Sequence, residues 1–268
     1  MRGNLPLKQA VTSPMPRILI LGGTTEARQL AAKLAARKDF NITLSLAGRT
    51  ENPVAQGVPV RSGGFGGADG LAAYLRTEKI DLLVDATHPY AARISANAAE
   101  AARLTGLRAI ALRRTAWEPV EGDRWTEVDD AGDAVAALGT SPRKIFLALG
   151  RQEIGGFEAA PEHAYVIRSV DPVEPPLGVP DATYVLARGP FTEAGDRALL
   201  QAHGIDAIVA KNSGGAATYG KIAAARKLGI DVFLFRRPAL PDMPSGAGVD
   251  EVAVMVDHAF APAEKRGV

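Results

Sequence analysis

Short apolar runs along this chain alternate with stretches in which apolar residues return every three or four positions, the pattern of strands alternating with amphipathic helices. Residues 17–21 form the first run, Gly22-Gly23 ends it, and Leu30 and Leu34 follow at helical spacing. The same reading predicts strands at 42–46, 58–61, 81–85 and 108–112. Helices are predicted around 71–75 and over 91–105, the second stopped by Gly106. After residue 113 the pattern weakens into a loop with Trp117, Pro119 and Gly122, a short run at 125–128 and a helix at 131–138. Strands return at 145–149, 165–170, 184–187, 207–210 and 232–235, with helices at 193–203, 217–228 and 249–260. Proline-rich 171–181 and 238–248 read as loops. Such alternation implies an α/β fold of mainly parallel sheets flanked by helices.

At 268 residues the chain is longer than one core usually supports. Two domains are expected, 16–141 and 142–268, with the boundary at Ser141-Pro142 and residues 1–15 as a flexible extension. Hydrophobic residues make up 47% of the chain, enough for a sizeable core, and the formal net charge of +1 lacks the basic excess of a nucleic-acid binder. The absence of cysteine excludes disulfides, thiolate zinc sites, cysteine-ligated clusters and cysteine nucleophiles. His88, His163, His203 and His258 lack metal-ligand spacing, so no metal is expected. The run at 18–21 is too short for a signal segment or a membrane span, which predicts a cytoplasmic protein.

Chemistry is expected where the strands run out, because open parallel sheets bind ligands at their carboxyl ends. Gly22-Gly23-Thr24-Thr25-Glu26-Ala27-Arg28 joins the first strand to the first helix, and its glycines let backbone approach a pyrophosphate at the helix N-terminus. The pattern departs from G-x-G-x-x-G at Thr24 and Ala27, and a ligand-free turn capped by Thr24 is the alternative. Glu26 would repel phosphate unless it turns aside. Arg49 and Thr50 stand where an NAD-binding unit carries an acid, and a guanidinium there suits the 2′-phosphate of NADP, the alternative being a solvated loop arginine. Gly63 and Gly64 belong to a glycine-dense segment that can lie flat against a cofactor or serve only as a flexible loop. Thr87, His88 and Tyr90 follow the 81–85 strand as the expected floor of a nicotinamide pocket, with a structural histidine and a packed aromatic as alternatives.

In the second half Arg151, Arg188-Gly189 and Lys211-Asn212-Ser213-Gly214-Gly215 each follow a strand. On parallel strands they share one edge and, with Thr218 and Lys221, suit a ligand bearing several carboxylates, although each alone reads as a surface group. Gly215 to Lys221 imitates part of a P-loop, but Ile222 stands where the magnesium-binding hydroxyl belongs. Tyr219 and Lys221 lack short-chain dehydrogenase spacing, and no G-x-S-x-G elbow exists.

Taken in order, Ile20 to Arg28, Asp85 to Ala91, Arg188-Gly189-Pro190-Phe191 and Lys211 to Gly215 make a combination that resembles the precorrin-6A reductases, from about Pro16 to Pro238. The resemblance implies two Rossmann-like domains with a cleft between them, the first binding NADPH and the second contacting substrate. It implies reduction of one double bond of the tetrapyrrole precorrin-6A, hydride to C19 and a proton to C18, giving precorrin-6B on the route to cobalamin. Candidate cofactor residues are then Gly22, Gly23, Thr24, Thr25, Arg28, Arg49, Thr50, Gly63, Gly64 and Thr87. His88, Tyr90 and Lys211 are candidates for catalysis, with water also open as the proton source. Arg151, Arg188, Gly189, Asn212, Ser213, Gly214, Gly215, Thr218 and Lys221 are candidates for a substrate with many carboxylates. A monomer or weak oligomer is expected. A cobalt-containing substrate, or binding of nucleotide and tetrapyrrole without turnover, are the alternatives.

Overall fold

The computed structural model describes residues 15–48 and 55–261. The first part of the chain runs β1 (Arg17–Leu21), α1 (Thr25–Ala35), β2 (Asn41–Leu46), β3 (Val60–Ser62), α2 (Gly67–Thr77), β4 (Leu82–Asp85), α3 (Ala92–Thr105) and β5 (Ala109–Leu112). It continues as β6 (Trp125–Val128), α4 (Ala131–Leu138), β7 (Lys144–Ala148), α5 (Arg151–Ile154), a 3₁₀ turn (Gly155–Ala159), β8 (Ala164–Ser169) and β9 (Ala182–Leu186). The last elements are α6 (Glu193–Ala202), β10 (Ala207–Lys211), α7 (Gly220–Leu228), β11 (Asp231–Phe235), β12 (Ser245–Gly246) and α8 (Val249–Phe260).

These strands form two sheets, ordered β12-β5-β4-β1-β2-β3 and β6-β11-β10-β7-β8-β9, with every pairing parallel. Each sheet is covered on both faces, which the strand sequences dictate. In β1, Ile18 and Ile20 pack with α1 and α8, whereas Leu19 and Leu21 pack with α2 and α3. In the second sheet Val209 faces the side covered by α4 and the 3₁₀ turn, and Ile208 and Ala210 face α6 and α7. A two-residue period with apolar groups on both sides produces this layering, and each large side chain so buried contributes about 1.5–3 kcal/mol.

The expected boundary at 141–142 is displaced. β6 pairs with β11 and so belongs to the second sheet, and α4 packs with the same lobe. Conversely β12 pairs with β5, and Val252, Ala253 and Val256 of α8 join the core of the first sheet. The chain therefore leaves the first lobe through 113–124 and returns through 236–244. The apolar face of α8 covers the side of the first sheet that α1 alone leaves partly open, a long-range demand that local periodicity does not carry. The helix expected over 217–228 starts only at Gly220, because 213–218 form a hydrogen-bonded turn. Of the expected extension, residues 1–14 lie outside the described residues. Among the described residues no helix is long and apolar enough to cross a membrane.

Candidate active site

The turn after β1 is built by Thr24. Its Oγ1 accepts from Ala27 N at 3.0 Å, capping α1, and donates to Ala86 O at 3.0 Å, pinning the turn to the end of β4. Gly22 packs so closely that an added Cβ would meet Leu44 Cδ1 at 2.7 Å, and Gly23 has φ +112°, open only to glycine. Around Gly23, Gly63 and Gly64 no atom stands where a side chain would be; Gly23 leaves bare backbone at the start of α1, whereas the Gly63 and Gly64 carbonyls are held by Arg61, whose Nη2 donates to Gly64 O at 2.7 Å. Thr25 and Arg28 are partly exposed in the first turn of α1. Arg49 and Thr50, next to Gly48, lie outside the described residues.

At the end of β4, Asp85 is fully buried. Its Oδ1 accepts from Thr87 N at 3.1 Å and Thr87 Oγ1 at 2.6 Å, and its Oδ2 accepts from Arg113 at 2.8 Å. Thr87 is thereby buried just beyond the strand end, and His88 follows, largely shielded within the cleft. His88 Nδ1 accepts from Tyr90 N at 3.3 Å. Burial pushes its pKa down to about 3, and Arg114, Lys211, Arg237 and Lys221 add to that effect, so the imidazole is neutral at pH 7. Tyr90 reaches across to the second lobe: its hydroxyl accepts from Asn212 N at 2.9 Å and donates to Phe235 O. Burial raises its pKa to about 12. The carboxyl ends of β4, β10 and β11 thus meet across one cleft.

The first crossing forms the cleft wall. Trp117 N donates to Asn212 Oδ1 at 2.8 Å, Asn212 Nδ2 donates to Trp117 O at 2.9 Å, and Trp117 Nε1 donates to Gly215 O at 3.0 Å. Arg237 from the second crossing donates to Asn212 O at 2.8 Å and Arg114 O at 2.6 Å, tying both crossings to the end of β10. Arg114 Nη1 donates to Glu26 Oε2 at 3.0 Å, and the other Glu26 oxygen stands 3.0 Å from where a Cβ of Gly215 would sit. Arg113, Arg114, Trp117 and Arg237 were not among the sequence candidates. The rule applied to other strands flags three of them, since Arg113-Arg114 follow β5 and Arg237 follows β11.

On the second lobe Lys211 Nζ donates to Glu153 Oε1 at 2.7 Å and lies 5.2 Å from the Tyr90 ring centroid. Arg151 and Arg188 are exposed at the ends of β7 and β9. Since β10 and β9 are separated by β7 and β8, Lys211 and Arg188 spread along the edge by roughly 14 Å rather than meeting at one point. Gly189 lies against the Phe191 ring, and Phe191 N donates to Ala217 O at 3.0 Å, joining the two loops. Ser213 Oγ and Thr218 Oγ1 are 3.0 Å apart, and Gly214 has φ +65° with Thr115 O only 2.2 Å from where a Cβ would sit. Lys221 differs from its expected place at the edge: it is buried, and its Nζ donates to Thr218 O at 2.8 Å beneath the loop. It lies near the buried pair Arg168–Asp196, at 2.5 Å, and burial lowers its pKa to about 7. Trp117, Phe191 and Tyr219 line an open groove of about 700 Å³ beside Gly215.

The chain matches the family described as precorrin-6x reductase CbiJ/CobK over residues 17–259. The chain belongs to this family. A precorrin-6A reductase of Sinorhizobium sp. is 60% identical over 248 residues, 92% of this chain and 95% of that protein. The precorrin-6A reductase of Rhodobacter capsulatus is 49% identical over 255 residues, 95% of this chain and 100% of that protein. The solved structure of a CobK precorrin-6A reductase has a TM-score of 0.89 at 49% identity, covering 95% of this chain and 100% of that one. This chain is accordingly a reductase, with the two-sheet α/β fold of its solved relative.

Proposed function

We propose that the protein reduces precorrin-6A to precorrin-6B in cobalamin biosynthesis, using NADPH, with the cleft between the two sheets as its active site. The observation that carries this reading is the meeting of two unlike carboxyl edges. One presents bare glycine backbone at a helix N-terminus; the other presents separated cations and glycine loops. NADPH, when bound, supplies the hydride that reaches C19.

Gly22, Gly23, Thr24, Thr25 and Arg28 hold the pyrophosphate at the start of α1, and Gly63, Gly64 and Thr87 line the rest of the dinucleotide path. Arg49 and Thr50, directly after β2, hold the 2′-phosphate. Arg151, Arg188 and Lys211 are spaced to take carboxylates around a macrocycle, while Gly189, Asn212, Ser213, Gly214, Gly215 and Thr218 shape the loops against it. The aromatic groove beside Gly215 offers flat faces to a conjugated ring. Lys221 supports this surface from below.

Neutral His88 lacks the acidic proton of an imidazolium, and the Tyr90 hydroxyl is engaged by two backbone groups. Lys211, paired with Glu153, and water then stand as the sources of the C18 proton, with no single side chain indispensable. Absorbance of NADPH followed with and without precorrin-6A tests the function: oxidation only with the tetrapyrrole is expected, and none would mark a non-catalytic carrier. Arg49→Ala is expected to raise KM for NADPH far more than for NADH. Equal effects would remove the NADPH preference from the account.

A further inference from the structure

Arg114 combines features that the roles above leave unused. Its side chain is only 11% exposed, Nη1 donates to Glu26, and Nη2 is buried without a hydrogen-bond partner. A buried charged donor left unpaired costs free energy that a ligand acceptor would recover. The surroundings carry surplus positive charge. Arg237 directs its donors to backbone carbonyls of Asn212, Arg114 and Thr115, which bring no compensating anion. After burial, the largest cause, Arg114 is the strongest of four cations that lower the pKa of His88. Location matters as much: Arg114 and Glu26, the latter in the first turn of α1, both lie against Gly215 of the second lobe, whose added Cβ would stand 3.0 Å from Glu26 Oε1 and 3.2 Å from Arg114 Cδ.

We propose that Arg114 Nη2 is the donor of an oxyanion seat where the two lobes meet, filled by a phosphate of the dinucleotide or a carboxylate of the tetrapyrrole. The inference rests on the proposed function and adds a residue to that site. Glu26 then aims the guanidinium through Nη1, and its own charge repels the incoming oxyanion at Nη2.

Two titrations test this: NADPH binding by its fluorescence without tetrapyrrole, and KM for precorrin-6A at saturating NADPH. Arg114→Met is expected to weaken one of them about tenfold or more. A rise in the NADPH dissociation constant identifies phosphate; a rise in KM for precorrin-6A alone identifies carboxylate. Glu26→Gln keeps an acceptor for Nη1 but removes the repelling charge, and is expected to tighten the same ligand severalfold. Unchanged values in Arg114→Met, or equal weakening in both variants, overturn the seat and leave only a structural ion pair. If Arg114→Met does not fold, Glu26→Gln decides: tighter binding supports the seat, and unchanged or weaker binding overturns it. Wild-type protein that takes up no NADPH would sink the proposed function itself, a result distinct from any variant outcome.

Discussion

Two buried bases give the site a predictable response to pH. Lys221 titrates at about 7 instead of 10.5 and His88 at about 3 instead of 6.5, burial being the larger cause in both. The unfolded chain keeps protons that the folded protein gives up, so the contribution of each residue to stability rises with pH, between about 7 and 10.5 for Lys221 and between about 3 and 6.5 for His88. Urea midpoints measured across these ranges should show both slopes, and Lys221→Met should abolish the upper one. A variant with the wild-type slope would contradict the burial of that ammonium. Tyr90→Phe is expected to lower stability by about 1–3 kcal/mol, because Asn212 N–H loses its acceptor, while retaining turnover within about tenfold. A loss beyond about a thousandfold would make Tyr90 the proton donor after all. The Thr24 cap and the glycine turn were legible in the sequence because their partners are local. The strand-end positions of Arg114 and Arg237 were legible too, but their partners were not, since these lie far along the chain.

Between elements, the loop from β10 to α7 depends on the first crossing more than on its own helix. Trp117 and Asn212, separated by 95 positions, exchange two hydrogen bonds, and Gly214 fits under Thr115 only without a side chain. Gly214→Ala should therefore combine a backbone penalty at φ +65° with a clash against Thr115 O, lowering Tm by several degrees and raising KM for the tetrapyrrole. Wild-type values of both would show that the loop is free of the crossing. The sequence pattern placed strands and helices here to within a few residues. It assigned residues 217–219 to the helix because Ala217 and Thr218 are compatible with one, whereas the Ser213–Thr218 and Lys221–Thr218 contacts hold a turn instead.

Across the whole molecule, the second lobe is inserted between β5 and β12 of the first. Alternation of strand and helix made two parallel sheets legible, but which sheet an element joins depends on which apolar face it completes. β6 and α8 look locally like ordinary continuations of their own halves. A fragment of residues 1–141 consequently lacks α8 over Ile18, Ile20 and Leu30 and carries β6 with no β11 to pair with. It is expected to show no cooperative unfolding transition. A sharp transition would restore the boundary at 141–142.

The central claim is that the bare glycine edge and the cationic edge bring nicotinamide and tetrapyrrole together for direct transfer. Turnover with NADPH carrying deuterium at the transferred C4 position, followed by NMR of the isolated product, tests it most directly. Deuterium at C19, with the hydrogen at C18 drawn from solvent, is the predicted result; a product whose new hydrogens both come from solvent would contradict the account.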